Sequence, residues 1–407
     1  MAASSVIIIF SKKLKLKMNA TKSTKIRSII KGIFIVLLVF SIGGIGGVYF
    51  EQHVLPYIRT NKFLSSINFL KKTAENVTVI NKTEQVIIKE DDSINEIASQ
   101  ASNAVVNIIS ISSQKDSVTK ISKVVDKGAT GVVVTSDGII ATYRTAIIEK
   151  DATYQAFLFN GNNYEAKLIG VDEFSNLAFL KIEAQNLTAV SLGDSSDVRP
   201  GKKIVAIGNS SGEYQNRYAA GLLSNIDKTF NLAGKTVSSS EKLEGVFQDD
   251  FSNQKDYIGA PVIGYSGDLI GLVGMLNIDG QDQYFQIPSS VLQKTVARLL
   301  DGGFDKNPSL GVYYVSISKE YAISHSLNFD RGALIYAPSG KQGLAIISGS
   351  PAETVGLKIN DVITMVSNQA VNLDNPLSNL INQYKKGDTV ELTINRAGQE
   401  MKIQVKL

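Results

Sequence analysis

The chain of 407 residues contains no cysteine. That excludes disulfides and any cysteine-ligated metal, and an exported chain of this kind needs no oxidising compartment to fold. Histidine is almost as scarce. His53 and His325 are the only two, so residues 54–324 hold no imidazole. Charged residues make up 20% of the chain, and the net charge is only +4. The basic surplus is concentrated at the N-terminus, so nucleic acid is not expected as a partner. What is present in quantity is apolar: 43% hydrophobic residues, enough for a large core and for two or three domains. No metal site and no cofactor are expected.

Gly32 to Phe50 carries no charge over 19 residues. At 1.5 Å per residue a helix of that length reaches roughly 28 Å, close to the hydrocarbon core of a bilayer. Lys12, Lys13, Lys15, Lys17, Lys22, Lys25, Arg27 and Lys31 precede it, and only Arg59 and Lys62 follow closely. The positive-inside rule then keeps residues 1–31 as a basic cytoplasmic tail and exports the remainder. No small-x-small cleavage site is evident, and Tyr49-Phe50 suits an interfacial end, so residues 32–50 read as an uncleaved transmembrane anchor in the cell membrane rather than a signal peptide. Gly43-x-x-Gly46 is a weak helix-packing pattern. Met18 is an alternative start. Residues 51–91 read as a stalk, with Phe63, Leu64, Ile67 and Leu70 at helical spacing and extended runs at 77–80 and 85–88. Ser93 with Glu96 is a capping box opening a helix to about Ala101.

From Ala104 to about Leu300 short apolar runs alternate with turn markers such as Ser136-Asp-Gly138, Gly161-Asn-Asn163 and Gly208-Asn209. The strand candidates are 105–111, 131–134, 138–142, 154–158, 166–170, 177–182, 203–207, 221–226, 269–273 and 284–287. About a dozen strands in some 200 residues suit a double β-barrel. Residues 289–300 read as a closing helix, and Asp301-Gly-Gly303 as a hinge. Residues 308–407 form a further unit. Its strands are expected at 311–317, 333–335, 344–347, 362–366, 389–395 and 402–407, around helices at 351–355 and 375–384.

Several motifs resemble those of the HtrA/Deg family of trypsin-like serine proteases. They are Gly131-Val-Val-Val-Thr-Ser-Asp-Gly138, Leu192-Gly-Asp-Ser195, Gly201 through Ile207-Gly208-Asn209, Gly221-Leu-Leu-Ser224, Gln248-Asp249-Asp250, Gly259-Ala-Pro-Val262 and Ile287-Pro288. The resemblance covers about residues 92–407. It implies a mostly β protein: a trypsin-like double β-barrel over 92–304, then a PDZ domain over 308–407, behind an N-terminal transmembrane helix.

The resemblance also implies a Ser-His-Asp triad, in which a hydroxyl attacks, an imidazole takes its proton and a carboxylate orients the imidazole. The matching positions hold other residues. Thr145 stands at the base position, Asn176 at that of the carboxylate and Ile258 at that of the nucleophile. No residue is therefore expected to be catalytic. Ser266, in Gly264-Tyr-Ser-Gly267, reads as an exposed turn serine. Lys255 is the nearest candidate for a Ser–Lys dyad, with nothing to suggest its burial. Asp256 occupies the position of an oxyanion-loop glycine, where its charge would oppose a developing oxyanion. Tyr143, Arg144 and Tyr257 are expected around the cleft, more as filling than as a grip on ligand.

Ser350-Pro-Ala-Glu-Thr-Val-Gly-Leu-Lys-Ile-Asn-Asp-Val-Ile363 resembles the family's PDZ signature, with Asn360 in place of a glycine. The resemblance implies that a peptide C-terminus binds as an added strand. Leu310-Gly311-Val312 would take its carboxylate, and Leu377, Leu380, Ile381 and Tyr384 would line the groove. His325 reads as a surface residue.

Three functions remain open. The first is a membrane-anchored pseudoprotease that binds polypeptide C-termini or unfolded segments, as scaffold, chaperone or regulator in envelope protein quality control. This family commonly forms trimers, so a homo- or hetero-trimer is implied. The second is an active endopeptidase with a non-standard site. The third is a structural envelope protein without peptide binding.

Overall fold

The computed structural model describes residues 32–39, 42–44, 46–49, 53, 90–115, 122–209, 216–234, 237–340 and 342–407. The basic tail, Arg59, Lys62, the 63–70 helix and the extended runs at 77–80 and 85–88 lie outside them. Two units divide the chain, Met1–Ile87 and Ile88–Leu407. In the first, the Gly32–Tyr49 helix has a mean hydropathy of 2.2 and is long and apolar enough to cross a membrane by length and composition.

The second unit opens with α1 (Glu90–Ser102), which starts upstream of the expected cap and places Ser93 inside the helix. The first barrel follows: β1 (Val105–Lys115), β2 (Ser122–Val133), β3 (Ile139–Tyr143), β4 (Ala152–Leu158), β5 (Asn163–Asp172) and β6 (Leu177–Ile182), closed in the order β1-β2-β3-β6-β5-β4. Period-2 patterning drives it. In β4, Tyr154, Ala156 and Leu158 are buried while their neighbours are not. β3 is buried on both faces, because it lies where the two barrels meet. Gly138 turns β2 into β3 at a φ of +104°, and a Cβ there would fall 2.4 Å from the Ile182 carbonyl oxygen.

The second barrel comprises β7 (Lys203–Gly208), β8 (Arg217–Asn231), β10 (Glu244–Asp249), β11 (Pro261–Gly264), β12 (Leu269–Ile278) and β13 (Gln281–Pro288), ordered β10-β13-β12-β11-β7-β8. β10 and β11 were not expected from the sequence. Asp279 and Gly280, both at positive φ, make the two-residue turn between β12 and β13. α2 (Ser289–Leu300) matches its expected span and buries Leu292, Thr295 and Val296 against the cluster shared by the two barrels.

The third sheet has the order β19-β18-β16-β15-β14-β9. Its own strands are β14 (Tyr313–Ser316), β15 (Ala333–Ile335), β16 (Val362–Val366), β18 (Thr389–Arg396) and β19 (Gln399–Lys406), with β17 (Gln369–Ala370) paired to β16. Short helices α3 (Lys319–Ser324), α4 (Gln342–Ala345), α5 (Pro351–Thr354) and α6 (Leu377–Ile381) cover it. The strand expected at 344–347 is instead α4, followed by an isolated bridge from Ile346 to Val312. α6 is half the length expected: Pro376 starts it and Asn382 caps it. The edge strand β9 (Ser238–Ser239) comes from the second barrel's polypeptide, between β8 and β10.

Candidate functional site

Two places gather the residues singled out by sequence. The first is the barrel junction. Asn253, at a φ of +55°, starts a 3-10 turn over Gln254–Tyr257. Ile258 follows in extended geometry, and Gly259 turns at a φ of +83°. Gly259 sits against the first barrel: a Cβ would lie 2.3 Å from the Thr130 carbonyl oxygen and 2.4 Å from Thr142 Oγ1. The half-buried Ile258 packs against both the first-barrel core and the cluster shared by the barrels.

The other positions lie along the same junction. Thr145 is in the 3-10 turn Arg144–Ala146 that follows β3, with its side chain exposed. Its carbonyl accepts from Lys127 Nζ. Asn176, at a φ of +54°, immediately precedes β6; its carbonyl accepts from Arg144 N–H at 2.8 Å. Its Nδ2 donates to Tyr143 Oη at 3.4 Å. Tyr143 is fully buried, meets Phe285 edge-on at 6.0 Å, and burial pushes its phenol up to about 12. Tyr257 is buried against Phe251 at 5.5 Å. Both tyrosines fill the junction. Arg144 is held by Glu149 at 2.6 Å and Glu173 at 3.0 Å.

Three backbone donors of the loop bond the chain itself. Asp256 N–H donates to Asn253 O at 2.9 Å, Gly259 N–H to Val273 O at 2.8 Å, and Ala260 N–H to Tyr257 O at 2.8 Å. An oxyanion site needs amides converging on an external atom, and these three are spent on the chain itself. Lys255 is exposed. Ser266 is exposed on the β11–β12 turn, which is closed by Gly267 N–H to Gly264 O at 2.9 Å.

The second place is the edge of the third sheet. Gly311 has a φ of +83°, and a Cβ on it would fall 2.2 Å from Ser350 Cβ. Only glycine fits there, and the turn aims successive amides outward. Leu310 N–H and Gly311 N–H both donate to Glu241 Oε1, at 3.1 and 2.7 Å. Val312 N–H donates to Ser240 Oγ at 3.0 Å, and Ser240 N–H returns a bond to Val312 O at 3.0 Å. Ser239 and Ser238 continue as β9, antiparallel to Tyr313 and Tyr314 of β14. Ser239 Oγ donates to Glu241 Oε2 at 3.0 Å.

Three residues beyond Glu241, Glu244 is fully buried. Tyr314 Oη donates to its Oε2 at 2.6 Å, while Oε1 accepts nothing. Burial pushes this carboxyl up to about 7, against smaller opposing pulls from Ser316, Tyr314, Ser238 and Asn231. Asn379 Nδ2 donates to Glu244 O at 2.8 Å, and Ser378 N–H to Tyr314 Oη at 3.2 Å. The polar side of α6 therefore meets Glu244 and its partner Tyr314. Leu377, Leu380 and Ile381 turn into the third sheet's core, with Tyr384 half-buried beside it. Sequence reasoning missed Ser238–Glu244 altogether, because nothing in a Ser-Ser-Ser-Glu run marks a long-range strand pairing.

Residues 129–272 match the trypsin-like peptidase domain, and residues 308–407 match the PDZ domain. The chain is 30% identical over 270 residues to the "Serine protease Do-like HtrA" of Bacillus subtilis (strain 168), covering 64% of this chain and 58% of that protein. It is 29% identical over 280 residues to the "Probable periplasmic serine endoprotease DegP-like" of Hahella chejuensis (strain KCTC 2396), covering 68% and 56%. The chain thus spans little more than half the length of these two relatives. Its fold is similar to the HtrA-type protease AlgW with decapeptide, at a TM-score of 0.58 and 22% identity over 77% of this chain and 97% of that one. The same protease with tripeptide gives a TM-score of 0.59 and 22% identity, over 77% and 95%. The chain thus carries a trypsin-like peptidase domain followed by a PDZ domain, and it is similar to HtrA-type proteases in sequence and in fold.

Proposed function

We propose that this protein is a membrane-anchored, extracytoplasmic pseudoprotease of the HtrA/Deg type that binds polypeptide C-termini rather than cutting chains. The observation that carries the reading is the absence of any imidazole in residues 54–324. A trypsin-like mechanism needs a base within hydrogen-bond reach of its nucleophile. In this reading Thr145, Asn176 and Ile258 occupy the three triad positions, and none of them supplies a base or a hydroxyl poised beside one. The apolar packing of Ile258 and the loop amides bonded to the chain itself support the same reading.

The binding half of the proposal rests on Leu310-Gly311-Val312. Its amides converge on carboxylate and hydroxyl oxygens, the chemistry that captures a peptide terminus by strand addition. In the cell the protein would be anchored through residues 32–50 with its N-terminus inside, acting as scaffold, holdase or regulator of envelope protein quality control, alone or within a trimer.

The second reading is an active serine endopeptidase, and the names of the curated relatives favour it. A fluorophosphonate probe and a casein assay on the full chain in detergent micelles separate the two. The pseudoprotease neither labels nor cleaves. Labelling that Ser266→Ala abolishes would overturn it in favour of the endopeptidase.

A further inference from the structure

The carboxylate loop of the PDZ domain already holds a carboxylate, and that carboxylate belongs to the barrel. We propose that Ser238–Glu241 is an internal ligand of the PDZ groove, with the Glu241 side chain standing where the C-terminal carboxylate of an incoming peptide binds. The proposal rests on the peptide-binding reading above and adds that binding is gated by displacement of this segment.

The arrangement repeats each element of C-terminal peptide capture. The segment runs antiparallel to β14, as an added strand must. Its Glu241 end lies at the glycine turn and its Ser238 end lies further along β14, the polarity of a peptide whose terminus enters the loop. Glu241 Oε1 takes two successive amides, at 3.1 and 2.7 Å, and Ser309 Oγ adds a donor at 3.3 Å. Ser240 exchanges backbone and hydroxyl bonds with Val312 on either side. On the opposite wall, Asn379 of α6 closes over Glu244 by bonding both its N–H and its carbonyl. A peptide laid on the same stretch of β14 would need the same amides and the same edge, so both cannot be bound at once.

Tethering makes the internal ligand effective without tight contacts. A segment on a short connection competes at an effective concentration on the order of millimolar. A free peptide then shows an apparent affinity reduced by the fraction of time the groove is open. The segment is also braced from behind. Leu243 N–H donates to Phe174 O at 2.9 Å, and Lys242 Nζ donates to Glu173 O at 2.5 Å. Phe174 and Glu173 lie in the β5–β6 turn, next to Asn176 at the barrel junction. Displacing Glu241 therefore pulls on the turn that reaches the former catalytic cleft.

The test uses the full chain in detergent micelles, as wild type, Glu241→Ala and Glu241→Gln. The probe is a fluorescein-labelled decapeptide pool randomised at its last four residues, with a free carboxylate, beside the same pool amidated. Anisotropy reports binding, and hydrogen exchange reports the Leu310, Gly311 and Val312 amides. Melting temperature checks folding, and Glu241→Gln keeps the side chain's volume should the alanine variant fold poorly. The expected result is a free-acid pool bound at least tenfold more tightly by Glu241→Ala than by wild type, an intermediate gain for Glu241→Gln, and no binding of the amidated pool. The three amides should exchange at least tenfold faster in Glu241→Ala. Equal affinity and equal exchange in all three proteins would overturn the internal ligand and leave peptide binding standing. Faster exchange with no pool bound by any variant would keep the internal occupant and remove the peptide-binding reading.

Discussion

At the scale of single residues the decisive position is Ile258. Its half-buried side chain packs against two core clusters at once. On the proposed reading, placing a hydroxyl there should cost stability and bring no chemistry. We expect Ile258→Ser to lose about 1–2 kcal/mol in urea unfolding, less than full burial would give because the residue is half-exposed. We expect its fluorophosphonate labelling to stay at the wild-type background, since no histidine lies in the barrels to take the serine proton. Rapid labelling of Ile258→Ser would mean that another group serves as base. The strand that follows this position is held on both edges, Pro261 pairing with Leu272 and Val262 with Ala206, while the assignment of Ile258 to a nucleophile position belongs to the proposed function. The PDZ residues were legible only in part. The Leu310-Gly311-Val312 turn could be read from its glycine. Helical spacing placed Leu377, Leu380 and Ile381 on one face, but spacing alone does not say whether that face meets the core or the groove, and here it meets the core.

At the scale of elements, long or strongly patterned segments were readable and short ones were not. β6 and α2 emerge with their expected ends because their apolar residues are continuous or at helical spacing. The 344–347 run has the composition of a strand, yet its first residues coil as α4 and it keeps only one bridge to Val312. β9, two serines long, exists solely because another domain offers it an edge. α2 has a second task that its amphipathic pattern does not announce. Its Arg298 donates from Nη1 to Asn382 Oδ1 at 2.7 Å and to Asn307 Oδ1 at 3.2 Å, and from Nη2 to the Asn382 carbonyl. This fastens the PDZ domain across a connection that carries Gly302 and Gly303, both at positive φ. Hydrogen bonds from a charged donor of this kind are worth about 1–3 kcal/mol together. Arg298→Ala should therefore speed limited proteolysis near Gly302–Gly303 about tenfold, with little change in the barrel's own urea midpoint. An unchanged cleavage rate would show that β9 and Asn379 hold the domains without it.

At the scale of the whole molecule, the barrels and the PDZ domain are joined through a buried acid. Glu244 lies at the start of β10, its Oε2 takes the Tyr314 hydroxyl of β14 at 2.6 Å, and its backbone is bound by Asn379. Ionised, it would be a buried charge with its Oε1 unbonded. Protonated, it costs little. Burial accordingly raises the carboxyl from an ordinary 4.5 to about 7 in the folded protein. The sign of the linkage follows from which state binds more protons. Between those two pH values the folded chain holds a proton that the unfolded chain has released, so stability is fullest below pH 4.5 and is lost as pH rises toward 7. The displacement corresponds to roughly 3 kcal/mol if the whole interface unfolds with the domains. Docking should thus be tight in mildly acidic conditions and looser above neutrality, and the internal ligand three residues upstream should loosen with it. Urea unfolding of the full chain from pH 5 to 8 measures this: the wild type should lose stability steadily to about pH 7 and then level off. Glu244→Gln, neutral at every pH and similar in shape, should flatten that slope while remaining folded. A wild-type profile that rises with pH, or a Glu244→Gln profile with the same slope as wild type, would place the pH dependence elsewhere in the molecule and leave Glu244 as a spectator.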